Sequence, residues 1–399
     1  MQRPAGIPLV LATVAMALVV QALTAMAILV PTVLAPVAAG ELGVAASHIG
    51  VLVAFAYLSA MASGLFCDGL IARFGPVRVF ELAIVLVAVG LASGFGGHLA
   101  LVFVLAALTG AAHGLVNPAS STVLLLASPP QYRSFIFSIK QTGVPLGSAA
   151  ASLVIPLLLQ HMHWRHAVLG LGVACLAVIA VVAPFRPIFD SNRDPQRRIR
   201  LSAIGTSITE VTSRPALLTL ALNSAVYAAV QMSLFSYLML FLIVDLGYSL
   251  VAAGLVFSVA QGAGVLGRPL WGIVADRLGA SRQLLAGLGI VMGLCGVAAA
   301  LFTPDSPAAL IVGICAVYGA SAIGWNGVYM AEVARLAPPG KVGLLTGGSL
   351  LFTFSGALTG PPLFGAILGF SGSYALGFAV FAVLPLLAGL SFLFSRPSA

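Results

Sequence analysis

Two cations stand inside long apolar stretches, Lys140 in FSIKQTGVP and Arg268 in GVLGRPLWG. A buried positive charge is costly unless acceptors or an opposite charge meet it. Such a side chain can therefore recruit an anion. No carboxylate lies at comparable depth, because Asp245 and Glu332 fall near segment boundaries and Glu81 opens a segment. The competing reading is that both long side chains snorkel to the interface or pair with Asp68, Asp276 or Glu332. His113 and Asn117 are four residues apart and share one helix face. His113 reads either as a proton-coupling group, since imidazole titrates near neutral pH, or as a hydrogen-bonded lining residue. Gln21, Tyr57, Gln141, Asn223, Tyr227, Gln231, Tyr237, Gln261, Asn326 and Tyr329 are further polar groups within apolar runs. For each of them a helix–helix hydrogen bond competes with contact to a bound small molecule.

Other chemistries find no support. The four cysteines, Cys67, Cys175, Cys295 and Cys315, form no CxxC pair and read as small apolar packing groups. The run HMHWRH, with His161, His163 and His166, reads as solvated or interfacial rather than metal-binding. HExxH, GxSxG, paired carboxylates and nucleotide-binding motifs are missing from the apolar segments. No enzyme activity, metal or cofactor is expected.

The elements that must position these groups follow from composition. The chain has 399 residues, 60% of them hydrophobic and only 7% charged. A soluble domain carries about 25% charged residues, so a soluble enzyme, a disordered chain and a secreted disulfide scaffold are excluded. A polytopic all-α membrane protein remains. Apolar runs of about 20 residues can cross a bilayer, and twelve are expected near 8–36, 47–71, 79–97, 100–127, 135–160, 167–185, 215–244, 250–275, 283–302, 308–334, 343–369 and 373–395. The first run continues past Val33 and reads as an uncleaved span.

Basic residues set the orientation. With the N-terminus inside, fifteen of them, from Arg3 through Arg198 and Arg200 to Arg396, lie at cytoplasmic flanks, and only Arg165 lies in an external loop. This positive-inside bias absorbs most of the net charge of +8, so nucleic acid is not an expected partner. The only long polar stretch, 186–214, reads as a basic linker lying on the anionic cytoplasmic leaflet. The expected organisation is an N-terminal six-helix bundle over 1–185, the linker 186–214 and a C-terminal bundle over 215–399.

The halves repeat. DGLIARFGPVR, from Asp68 to Arg78, aligns without gaps on GIVADRLGASR, from Gly272 to Arg282, at a shift of 204 residues. Gly50 matches Gly254 at the same shift, and Pro129-Pro130 followed by Arg133 corresponds to Pro338-Pro339 followed by Lys341. The second copy resembles the loop 2–3/8–9 signature of the major facilitator superfamily, G-x-x-x-D-R-x-G-x-x-R. Trp164-Arg165 before the sixth span is a similar family feature. The first copy departs from the pattern, with Ala72 at the aspartate position and Asp68 one turn earlier on the same helix face.

The resemblance implies two six-helix bundles, related by a pseudo-twofold axis, around a central cavity. Spans 1, 2, 4, 5, 7, 8, 10 and 11 would line it, and spans 3, 6, 9 and 12 would face lipid. Asn, Gln, His, Lys and Arg are missing from the interiors of that second set, as such an arrangement requires. The resemblance also implies a cytoplasmic latch from Asp68, Arg73, Arg78, Asp276, Arg277, Gly279 and Arg282. A carboxylate at a helix C-terminus is poorly placed unless a cation or another helix N-terminus approaches it. Spans five and eleven start on that side and offer such N-termini.

The expected function is secondary active transport by rocker-switch alternating access, in the bacterial inner membrane with both termini cytoplasmic. The expected partners are a small organic anion, a carboxylate above all, co-transported protons and membrane lipids, with the chain acting as a monomer. Lys140 and Arg268 would meet the anion, with His113, Asn117, Gln21, Tyr57, Gln141, Tyr227, Gln231, Gln261, Asn326 and Tyr329 around it. The alternatives are a drug/proton antiporter, which GVPLGSAAAS partly resembles, and a non-transporting sensor. Gly360-Pro361-Pro362 is an expected bending point in the eleventh span.

Overall fold

A backbone inside hydrocarbon must satisfy its N–H and C=O groups within its own segment, and the helix is the local way to do so. The computed structural model describes residues 7–43, 49–197 and 203–394. Arg3, Arg198, Arg200 and Arg396 lie outside that range. Helices occupy every expected span: α1 (Ile7–Glu41), α2 (Ile49–Phe74), α3 (Pro76–Ser93), α4 (Leu99–Ala127), α5a (Arg133–Gln141), α5b (Gly143–Leu159) and α6 (Trp164–Leu176, continued by Val178–Val182 and Arg186–Phe189). After a short linker helix (Ala203–Thr212) come α7 (Pro215–Val244), α8 (Leu250–Leu278), α9 (Ser281–Ala300), α10a (Ala308–Gly324), α10b (Asn326–Leu336), α11 (Val342–Ser371) and α12 (Tyr374–Phe394). Eleven spans among the described residues are long and apolar enough to cross a membrane. The remaining one, α8, carries Gln261, Arg268, Asp276 and Arg277.

Three spans are interrupted where the sequence reading has continuous helices. Pro145 has no N–H to offer the Gln141 carbonyl, and α5 breaks at Thr142. Pro184 and Pro187 interrupt the end of α6 in the same way. α10 breaks at Trp325 without a proline. There the Arg268 Nε donates to the Ile323 carbonyl at 3.2 Å, a side chain inserted into the helix ladder.

The chain divides into two compact units. One comprises Met1–Pro129, Ile139–Glu210 and Ala337–Gly348. In it α4 packs on α2 and α3, α1 on α5b, and α3 on α6. The other comprises Pro130–Ser138, Val211–Leu336 and Ser349–Ala399. In it α9 packs on α12, and α8 on α10a. The first turns of α5 thus belong with the second unit, and the first turns of α11 with the first.

Candidate functional site

In the first unit, the α5 break gathers a buried polar cluster. Lys140, the penultimate residue of α5a, is 2% exposed. Its Nζ donates to Asn117 Oδ1 at 2.6 Å and to Gln141 Oε1 at 3.4 Å. Both acceptors are neutral, so they satisfy donors without cancelling the charge. His113, one turn before Asn117 on α4, is buried as well. Gln21 approaches from α1: a Cβ on Gly143, the first residue of α5b, would lie 3.0 Å from Gln21 Cβ. Gln21 is fully buried, and neither end of its amide has a hydrogen-bond partner. An unsatisfied buried amide costs about 1–3 kcal/mol, so this side chain is available to a ligand. Gln21, His113, Asn117, Lys140 and Gln141 therefore stand together. Tyr57 packs against the apolar group of Ile28, Leu52, Ala56, Val102 and Ala106.

In the second unit, Arg268 is 2% exposed and reaches the α10 break through Ile323 O. On the other side of that break, Gln231 Oε1 from α7 accepts from Trp325 Nε1 at 3.2 Å and from Asn326 Nδ2 at 3.3 Å. The Trp325 ring contacts Tyr227 and Tyr329, with centroids 5.5 and 5.3 Å away. The remaining polar groups hydrogen-bond to neighbouring helices. Tyr227 donates to the Leu285 carbonyl of α9 at 2.7 Å, Tyr237 to Pro361 O at 2.9 Å, and Asn223 to Ser391 Oγ at 3.1 Å. Tyr329 donates to Ser349 O at 3.4 Å. Gln261 on α8 is half-buried.

The charged loop motifs act on helix ends. Asp276, near the C-terminus of α8, accepts from Ser134 N at 2.9 Å and Phe135 N at 2.7 Å, closing the start of α5a. Two charge-assisted bonds offset its unfavourable place in its own helix. Asp68 on α2 accepts from the Leu344 backbone N–H at the start of α11 and lies 3.9 Å from an Arg197 guanidinium nitrogen. The two acids thus meet the starts of α5a and α11, each within one unit. Of the other motif residues, Arg73 stacks over Phe74, Arg282 faces the Phe392 ring, and Gly279 holds φ 60°. Arg277 is exposed, and the Arg78 backbone N–H donates to Asp190.

Several connections had no visible mark in the sequence. Asp190 bonds the start of α3, Glu81 takes Arg186 in a bidentate pair at 2.6 Å, and Lys341 reaches Glu210 at 2.5 Å. His163 and Arg165 both bind Glu41, at 2.9 and 3.2 Å. The first acid after span six was the one available hint for Asp190. Among the described residues, no three His, Cys, Asp or Glu side chains are grouped to hold a metal ion.

The family model of the Major Facilitator Superfamily matches residues 15–361. The chain belongs to the major facilitator superfamily, a family of membrane transporters and not of enzymes. A sulfoacetate transporter described as probable, SauU of Cupriavidus necator, is 26% identical over 390 residues, covering 91% of this chain and 88% of that one. A probable nitrate/nitrite transporter, NarK2 of Mycobacterium tuberculosis, is 27% identical over 82% of this chain and 80% of its own. The match to an uncharacterized MFS-type transporter of the same organism spans 61% of that relative's length. A bacterial homologue of the iron transporter ferroportin, solved in an outward-facing state, superposes with a TM-score of 0.75 at 17% identity, over 96% of this chain and 98% of the other. Its likeness is one of fold: all-α, membrane-spanning, and built as this superfamily is.

Proposed function

We propose that this protein is a secondary active transporter of small organic anions, carboxylates above all, working by alternating access. One observation carries the reading. Lys140 and Arg268 are cations well inside their spans, each 2% exposed, whereas the comparably buried carboxylates Glu332 and Asp190, each 3% exposed, lie near helix ends. The carboxylates of the spans are engaged near helix ends: Asp276 with the α5a start, Asp68 with Leu344 N–H and Arg197, Glu81 with Arg186, and Glu332 with Arg335 at 2.6 Å. A carrier of lipophilic cations needs a negative group at depth to attract its cargo, and this charge pattern is the reverse.

Two kinds of support converge. Both cations sit beside broken helices, and interrupted helices at depth are where carriers bind charged groups. Two relatives are named for anions, sulfoacetate and nitrate or nitrite. In this reading Lys140 and Arg268 are the cations that attract the anion, and Gln21 donates to it through its buried amide. His113 is the proton-coupling candidate, since an imidazole can take up a proton and this one is buried one turn from Asn117, the residue that holds Lys140. The positive-inside bias supports both termini on the cytoplasmic side of a bacterial inner membrane.

Purified protein in liposomes tests the proposal. Counterflow of a labelled small acid is expected, lowered in Lys140→Gln and in Arg268→Gln while unfolding temperature holds. Undiminished anion flux in the double variant, or flux of lipophilic cations alone, overturns it.

A further inference from the structure

The helices α3 and α9 are repeat equivalents whose starts are closed differently. At the shift of 204 residues Gly75 matches Gly279, Val77 matches Ser281 and Arg78 matches Arg282. Both glycines turn the chain at positive φ, 95° and 60°. In the first unit the Asp190 carboxylate accepts from Val77 N at 2.9 Å and from Arg78 N at 3.2 Å. A Cβ on Gly75 would collide with that carboxylate. In the second unit no side chain caps α9, and beyond the adjoining residues no atom lies within 4 Å of a Cβ placed on Gly279. The residue 204 positions after Asp190 is Phe394, which carries no acid.

The start of α9 opens instead on a cavity of about 360 Å³, whose wall includes Arg133, Ser134, Asp276, Ser281, Arg282 and Glu332. Its two carboxylates are occupied, Asp276 with the amides of Ser134 and Phe135 and Glu332 with Arg335. The Arg133 Nε is buried with no hydrogen-bond partner. Arg282 supplies a second guanidinium, and the helix start adds about half a positive charge.

We propose that this cavity binds a phosphate group, which closes α9 as Asp190 closes α3. The chain itself demonstrates the chemistry, since the equivalent amides already hold an oxyanion. Two arginines and a helix start suit a multiply charged group with several acceptor oxygens. The bound group would also brace the corner where Asp276 holds α5a, so occupancy would stiffen the second unit. The phosphate can come from a lipid headgroup or from solution.

Thermal unfolding of the full chain in phosphatidylcholine nanodiscs tests this, with inorganic phosphate against chloride at equal ionic strength. A saturable rise of several degrees is expected with phosphate. Arg282→Gln and Arg133→Gln abolish that rise, while Arg193→Gln, away from the cavity, keeps it. Ala280→Asp places a carboxylate at the helix cap; it raises the unfolding temperature without phosphate and removes the phosphate response. That variant keeps the test decisive if an arginine variant fails to fold. Nanodiscs containing phosphatidate separate the sources. A raised baseline with no further phosphate response assigns the site to lipid, and a retained response assigns it to free phosphate. No saturable rise in the natural sequence, or an equal rise in Arg282→Gln and Ala280→Asp, overturns the site.

Discussion

Lys140 on α5a donates to Asn117 on α4 across 2.6 Å, a bond between a full charge and a neutral amide, both buried. The neutral amide holds the ammonium in place without adding a charge of its own. Asn117→Asp keeps the shape and puts a negative charge directly against the ammonium. Anion uptake is expected to fall at least about tenfold, equivalent to about 1.4 kcal/mol, while the unfolding temperature is held or raised. Uptake by proteoliposomes measured beside thermal unfolding checks this, and unchanged uptake would remove Lys140 from the anion path.

Asp276 makes two bonds to the backbone of α5a. Asp276→Ala strips both and leaves a helix start uncapped. A loss of about 1–3 kcal/mol is expected, read as earlier unfolding in denaturant. Asp276→Asn, which keeps one acceptor oxygen, should fall between the two.

Tyr227 is 1% exposed and its hydroxyl bonds the Leu285 carbonyl at 2.7 Å. Tyr227→Phe is expected to cost about 0.5–1.5 kcal/mol with little change in transport, because the hydroxyl ties α7 to α9. A large transport defect at unchanged stability would instead make this hydroxyl part of the substrate path.

Asp190 lies just past the end of α6, and burial pushes its carboxyl above the usual carboxylate range, against the pull of the Val77 and Arg78 amides and the Arg78 charge. Its proton is therefore held more tightly in the fold than in the unfolded chain. That contribution to stability is present below the ordinary aspartate value and is lost as pH rises through the raised one. Asp190→Asn should flatten the dependence of unfolding temperature on pH across this acidic window. An identical pH profile in both proteins would count against a raised carboxyl.

Much of this architecture was legible in residue order because it depends on local composition. Pro215 starts α7 and Val244 ends it as read from the apolar run alone. The breaks were less visible. Pro145 signals the interruption of α5, and Gly324 and Asn326-Gly327 flank that of α10, but that Arg268 from another helix reaches the α10 break is invisible along the chain. For the candidate site, the expected set separates by surroundings. Gln21, His113, Asn117, Lys140 and Gln141 gather near one helix break. Tyr227 and Tyr237 spend their hydroxyls on neighbouring backbone.

By itself, the order of residues determined a helical membrane chain of twelve spans with a repeated loop and two cations at depth. Hydropathy, helix length and the count of basic flanks are properties of neighbouring residues, so no partner need be known. Only the tertiary structure decided who meets whom. Asp276 accepts from an amide 142 residues earlier and Asp190 from one 113 residues earlier, while α9 opens on a cavity. Helix packing sets those pairings, and a hydrogen bond between distant helices leaves no periodic trace along the chain.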